Sequence, residues 1–207
     1  RAPRYVWEKN QRWPNGVTEQ WPLDPDEPYA ASKMAQSALC LAYARTFDLP
    51  ITVFRCSNLY GPAPSHGPRH GWLTWFAISA AIGRPLTVQG RGYQTRDMLH
   101  SDDVFSACIA AAAHPEQSSG QLFNLGGGMT NAISVQEAAD VLSELGGVPQ
   151  LRGEGRRFED PIFVTDHGKF TGVTGWRPAV DVGTGLRQVF EWARQNKADL
   201  LKLYEGV

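Results

Sequence analysis

Short apolar, β-branched segments alternate along this chain with longer helical segments, and this alternation constrains the fold more than any other feature. A helix is predicted over 29–47, and Asp48-Leu49-Pro50 ends it because the residue before a proline disfavours helix. The run at 51–54 predicts a buried strand. Further strands are predicted at 86–88, 94–99, 121–125 and 162–164, and further helices at 73–82, 101–113, 134–145 and 181–203. Such alternation indicates an α/β fold with a parallel sheet.

Polar residues at the predicted helix starts support these boundaries. Ser134 and Glu137 have the spacing of a capping box, and Ser101 is predicted to cap the helix over 101–113. Asp102 and Asp103 are interpreted as caps of the same helix rather than as catalytic acids. Residues 1–28, rich in proline and tryptophan, are predicted to form a long loop, and long loops in compact domains are usually functional or disordered.

The composition is that of an ordinary soluble protein. The 20 basic and 21 acidic residues give a net charge of −1, so no global field favours nucleic acid or an anionic membrane. No apolar run approaches the roughly 20 residues that a membrane helix needs. We therefore expect a cytoplasmic location, and we interpret Arg1 as an internal position of a longer chain. The cysteines at 40, 56 and 108 are predicted to be buried free thiols.

Tyr29 and Lys33 are the first candidate pair for catalysis. Residues four apart share one face of a helix, so the phenol and the ammonium group can meet at one site. A nearby cation favours the phenolate form, which would serve as a general base near neutral pH. The spacing alone favours a surface tyrosine beside a solvated lysine, because most pairs with this spacing have no function. No histidine spacing predicts a metal site, so no metal is expected.

Four sequence motifs, in order, resemble those of the extended short-chain dehydrogenases/reductases, in particular the NAD-dependent sugar-nucleotide epimerases and dehydratases. They are Pro28–Lys33 (PYxxSK), Arg55–Pro62 (RxxNxYGP), Gly90–Asp103 (GxGxQxRDxxHxxD) and Gly175–Pro178 (GWxP). The resemblance implies a partial Rossmann-like, doubly wound parallel sheet with a smaller substrate-binding lobe. It also implies that residues 1–207 are a C-terminal portion in which these two parts interleave, without the N-terminal half that binds most of the NAD.

The resemblance assigns roles to individual residues. Tyr29 and Lys33 would be catalytic and would contact the NAD cofactor, and Cys56 and Ser57 would meet the nicotinamide through their backbone. Asn58, Arg96 and Arg156 would bind the substrate phosphates. Arg156 is the less certain of the two arginines, because Asp160 stands where the family motif has glutamine. The glycine cluster at 126–128 resembles a phosphate loop only superficially, and we interpret it as a turn.

A narrower resemblance links three segments to CDP-tyvelose (CDP-paratose) 2-epimerases: 4–7, 70–76 and 163–166. It implies epimerisation of a CDP-linked 3,6-dideoxyhexose through transient oxidation, by a homo-oligomer when full length. Two enzyme alternatives stay open, a UDP-sugar 4-epimerase and a dTDP-sugar 4,6-dehydratase. A third alternative is a non-catalytic binding protein on a degenerate dehydrogenase fold.

Overall fold

The computed structural model describes residues 4–6, 15–63, 71–85, 91–147 and 161–204. The predicted strand at 86–88 lies outside these residues, as does the region 148–160 that contains Arg156. The described helices are α1 (Pro28–Phe47), α2 (Trp72–Ile82), α3 (Ser101–Ala113), α4 (Pro115–Ser118), α5 (Val135–Glu144), α6 (Gly168–Thr174), α7 (Val182–Gln195) and α8 (Lys197–Leu203). The described strands are β1 (Val53–Cys56), β2 (Asn58–Tyr60), β3 (Thr95–His100), β4 (Leu122–Leu125), β5 (Ala132–Ser134) and β6 (Ile162–Phe163).

The strands form two sheets, and the α/β prediction is confirmed. In the first sheet β1 pairs with β4 in parallel, with Val53 opposite Leu122 and Cys56 opposite Leu125. In the second, β3 pairs in parallel with β2 and with β6 and antiparallel with β5. A single residue, Ser57, separates β1 from β2, so the chain passes from one sheet to the other in one step.

Two hydrophobic cores support these sheets. The larger core surrounds α2, which is apolar on nearly every side and packs against α5, α7 and α8, as expected of a fully buried helix. The smaller core lies behind β1 and β4 and joins Phe123, Phe170 and Trp176, with Phe54 packed against them. The aromatic segment at 72–76 accordingly serves packing, since Phe76 is buried and both tryptophans pack against the larger core.

Several predicted helix ends are confirmed, and the start of α3 is a correction. Asp48 takes the left-handed conformation that stops α1, with its N–H bonded to the carbonyl of Ala44. Ser134 and Glu137 form the predicted capping box at α5. The cap predicted for Ser101 is wrong: His100 occupies the N-cap position of α3, and its Nδ1 accepts a hydrogen bond from the N–H of Asp102 at 3.3 Å.

The two aspartates at the start of α3 do not cap it either. Asp102 is mostly exposed and lies 3.6 Å from His100. The Asp103 carboxylate is buried and accepts hydrogen bonds from the N–H groups of Ala179 at 2.9 Å and Val180 at 3.1 Å. Asp103 therefore anchors the chain segment that follows Trp176.

Four short elements were not predicted, nor was the 3-10 turn at Met129–Asn131, and one helix is divided. The strands β2 and β5 have three residues each, α4 has four, and α6 has glycine at its first position and again within it. The single helix predicted over 181–203 is interrupted at Asn196, between α7 and α8. The prediction of buried cysteines is also wrong for Cys56 and Cys108, which are exposed in this chain.

Candidate active site

The Tyr29–Lys33 pair lies in the first turns of α1. Pro28 starts the helix, where its missing N–H costs no hydrogen bond. Tyr29 is 66% exposed, and the Lys33 Nζ lies 5.5 Å from the centroid of its ring. The Ser32 hydroxyl donates to the Tyr29 carbonyl at 2.7 Å. The two side chains therefore share one face, as the spacing predicts, and the described residues leave the phenol accessible.

A cavity of about 330 Å³ adjoins the same turns of α1, although neither Tyr29 nor Lys33 lines it. Ala30 follows Tyr29 and Met34 follows Lys33, and both form the side of the cavity that α1 contributes. Arg55, Cys56 and Ser57 contribute the wall at the carboxyl end of β1. Ligands in open α/β sheets bind at the carboxyl ends of the strands, so the cavity occupies the expected position for a substrate or cofactor.

The segment at 15–27, which we call the covering loop, forms most of the remaining wall, and Asn124, Phe163 and Thr165 complete it. Val17 fixes it by pairing with Thr165: the Val17 N–H donates to the Val164 carbonyl at 2.7 Å, and the Asp166 N–H donates to the Val17 carbonyl at 2.9 Å. Gly16 has a φ of 121°, and a Cβ there would lie 2.6 Å from the Val164 carbonyl oxygen. Only glycine fits this approach, so the turn places the covering loop over the cavity.

A second connection ties the covering loop to β4. Glu19 Oε1 accepts a hydrogen bond from the Asn124 N–H at 2.7 Å, and the Asn124 side-chain amide donates to the Val17 carbonyl at 2.9 Å. Burial lowers the pKa of Arg55, and the Glu19 carboxylate opposes this shift. Neither Glu19 nor Asn124 was identified from the sequence.

Cys56 and Ser57 both line the cavity. The Ser57 N–H donates to the Leu125 carbonyl at 2.9 Å. The pKa of the Cys56 thiol is raised, because neighbouring protein atoms desolvate the sulfur and because Cys108 lies nearby, although the residue keeps exposed surface. A raised pKa disfavours the thiolate, so Cys56 is poorly suited to act as a nucleophile.

The predicted phosphate-binding residues lie on the second sheet. Asn58 begins β2 and stands opposite Met98 of β3, two residues along the strand from Arg96. Arg96 is half-buried, and its Nη1 donates to the Thr95 carbonyl at 2.9 Å. Asn58 and Arg96 are thus on neighbouring strands, whereas Arg156 lies outside the described residues.

The glycine cluster at 126–128 is a turn, as predicted. A 3-10 turn and then β5 follow it, rather than a helix whose N-terminus could bind phosphate. A Cβ on Gly127 would collide with the carbonyl oxygen of Met98, and one on Gly126 would collide with the carboxylate of Asp97. The glycines therefore permit close packing on β3, and Asp97 is a buried acid that sequence reasoning did not single out.

No group of three or more His, Cys, Asp or Glu side chains in residues 4–6, 15–63, 71–85, 91–147 and 161–204 is arranged to hold a metal ion. None of the helices described for those residues combines the length and apolar character needed to cross a bilayer.

Known proteins share this fold and this arrangement of motifs. Residues 6–126 match the model of the NAD dependent epimerase/dehydratase family. The chain is 34% identical over 187 residues to a CDP-paratose 2-epimerase from Salmonella typhi, covering 86% of this chain and 55% of that protein. It is 33% identical over 184 residues to a dTDP-glucose 4,6-dehydratase from an Actinoplanes species, covering 87% of this chain and 55% of that protein.

A solved structure also has a similar fold. The dTDP-glucose 4,6-dehydratase of Bacillus anthracis, determined in complex with NAD, superposes with a TM-score of 0.76 at 28% identity, over 91% of this chain and 58% of that one. The chain therefore belongs to the NAD dependent epimerase/dehydratase family. It spans about half the length of the curated relatives that it matches.

Proposed function

We propose that the protein containing this chain is an NAD-dependent sugar-nucleotide epimerase that acts on a CDP-linked 3,6-dideoxyhexose at carbon 2. The observation that carries this proposal is the accessible Tyr29–Lys33 pair beside the cavity at the end of β1. The similarity to a CDP-paratose 2-epimerase supports the choice of sugar and nucleotide.

The described residues fit the nicotinamide end of NAD. A phenol and an ammonium group on one exposed helix face can bind ribose hydroxyls. The cavity next to them, which Ala30 and Met34 line, has largely apolar walls that also include Leu23, and this suits a flat nicotinamide ring and a sugar. When bound, NAD would accept hydride from the sugar carbon and return it.

The chain's own residues would transfer the proton and position the substrate. Tyr29, as phenolate, would take the proton from the hydroxyl group on the reacting carbon, and Lys33 would favour that phenolate. Arg96 and Asn58 would hold the diphosphate, and the covering loop would exclude water from the reacting carbon. The keto sugar would turn over in the cavity, so that hydride returns to the opposite face of the carbon and inverts it, while Tyr29 returns the proton to the oxygen.

A substrate comparison tests the proposal. The full-length protein, supplied with NAD, should invert carbon 2 of CDP-paratose or CDP-tyvelose, as followed by NMR. UDP-glucose and dTDP-glucose serve as matched substrates for the two enzyme alternatives. Conversion of dTDP-glucose to a 4-keto-6-deoxy sugar would instead favour the dehydratase, in keeping with the 33% identity to such an enzyme. No turnover of any of these nucleotide sugars would favour a binding protein.

Replacing Arg96 with alanine should weaken nucleotide-sugar binding by about tenfold to a hundredfold. A charge-assisted hydrogen bond to phosphate contributes about 1.5–3 kcal/mol, which corresponds to that loss. Calorimetric titration of the full-length protein measures the effect. Arg187→Ala, at an exposed position of helix α7, provides a control that keeps its affinity. Unchanged affinity of the Arg96 variant for CDP, UDP and dTDP sugars alike would remove Arg96 from the site.

A further inference from the structure

The carboxylate of Asp97 is enclosed between the two sheets and has no exposed surface. Its Oδ2 accepts a hydrogen bond from the Gly128 N–H at 3.2 Å, and its Oδ1 accepts one from the Thr165 hydroxyl at 3.4 Å. The Ser57 hydroxyl also bonds to Asp97, donating to its backbone carbonyl at 3.5 Å. Burying a carboxylate costs free energy unless hydrogen-bond donors surround it, and these donors offset part of that cost for Asp97.

Glycine at position 126 makes this enclosure possible. A Cβ there would collide with Asp97 Oδ2 and would lie 2.8 Å from the Ser57 hydroxyl oxygen. The turn at 126–128 therefore closes directly over the carboxylate. Asp97 is tied to three separate segments: the joint between β1 and β2, this turn, and the residue that follows Val164.

Two of the residues that are bonded to Asp97 also line the cavity next to α1. Ser57 and Thr165 both line it. Thr165 in addition pairs with Val17, which fixes the covering loop. Asp97 therefore lies immediately behind the cavity wall and is bonded to the residues that form it, without lining the cavity itself.

We propose that Asp97 is a positioning residue: it holds Ser57 and Thr165 in the arrangement that aligns the nicotinamide with the reacting sugar carbon. This inference rests on the proposed function, because it takes the cavity as the place where the two reactants meet. Misplacing reactants by about 1 Å can reduce a rate about 10²-fold, so a group that fixes the wall has a large effect on turnover without touching substrate.

The ionisation of Asp97 fits this role. Burial raises its pKa to about 6, and the hydrogen bonds from Gly128 and Thr165 oppose the rise. The neighbouring titratable groups are Cys56, Asp166 and His167, on the segments packed against Asp97, and none of them contributes to the shift. At neutral pH the ionised form therefore prevails, and only that form accepts hydrogen bonds at every lone pair.

The test is Asp97→Asn in the full-length protein, with Asp103→Asn as the matched control. Asp103 is also a buried acid that accepts two hydrogen bonds, but its partners are Ala179 and Val180, away from the cavity. We expect both variants to be less stable. Only Asp97→Asn should reduce kcat, by about 10²-fold, with KM for the nucleotide sugar nearly unchanged. Equal kcat values for the two variants would overturn the proposal.

A spectroscopic measurement separates this inference from the proposed reaction. The circular dichroism of bound NADH reports the orientation of the nicotinamide and needs no sugar. Asp97→Asn should change this signal and Asp103→Asn should not. If the wild-type protein binds NADH but turns over no nucleotide sugar, the proposed function fails while the dichroism still decides the role of Asp97. If it binds no NADH, both proposals fail.

A second pair of variants applies if Asp97→Asn does not fold. Thr165→Val removes one hydrogen bond to the carboxylate while keeping the shape of the side chain, and Thr165→Ser keeps the hydroxyl. Thr165→Val should reproduce the loss of kcat and the altered dichroism on a smaller scale, and Thr165→Ser should restore both towards wild type. Identical behaviour of the two Thr165 variants would contradict the proposal.

Discussion

Tyr29→Phe should lower turnover by about 10²–10⁴-fold, the usual contribution of a general base, while nucleotide-sugar binding stays nearly intact. The substitution removes only the phenolic oxygen, and Tyr29 is 66% exposed, so little packing is lost. Inversion at the reacting carbon, followed by NMR in the full-length protein with NAD, measures the effect. Tyr43→Phe is the matched control, because Tyr43 is a second exposed tyrosine of α1.

Lys33→Met extends the same test to the other member of the pair. It keeps an unbranched side chain of similar length but removes the cation beside the Tyr29 ring. Turnover should fall, and the pH optimum should move upward, because the phenolate then forms less readily. A surface pair without catalytic function would instead give changes within about ±0.5 kcal/mol in stability and no change in pH profile. Wild-type turnover by Tyr29→Phe would exclude the mechanism.

Phe170→Ala should lower the free energy of unfolding by about 3–5 kcal/mol, the range for deleting a buried phenylalanine. Phe170 is fully buried, and its ring centroid lies 5.1 Å from that of Phe123 and 5.5 Å from that of Trp176. The large cost follows because this one ring joins α6 to β4 in the smaller core. Urea denaturation of the full-length protein gives the measurement.

The control for this prediction is a leucine at the surface. Leu203 is 55% exposed near the end of α8, so Leu203→Ala should change stability by no more than about ±0.5 kcal/mol. A Phe170→Ala loss no larger than that of the control would mean that the smaller core tolerates a cavity, and that α6 is not held by its aromatic contacts.

The sequence predicted the long elements well because their signals are local. The capping box at Ser134 and the stop at Asp48 lie within a few residues of the helix ends that they define. The three-residue strands β2 and β5 give too short a pattern to detect, and they exist because β3 offers both of its edges to them. The helix break at Asn196 was missed because the apolar spacing continues across it.

The site was predictable only in part, for a related reason. The motifs identified Tyr29, Lys33 and the segment at 56–58, all of which are close in sequence to an element boundary. The bond from Asn124 to Glu19 spans 105 positions, and that from Thr165 to Asp97 spans 68. Such contacts depend on how the elements pack, so spacing along the chain gives no indication of them.

The one-residue connection between β1 and β2 also limits how the protein can move. Ser57 is bonded to Leu125 in one sheet and to Asp97 in the other, so a hinge at this residue would have to break both contacts. Hinges need a few residues that absorb changes in φ and ψ, and here a single residue separates the two strands. We therefore expect the two sheets to move as one body, and substrate entry and product release to depend on displacement of the covering loop.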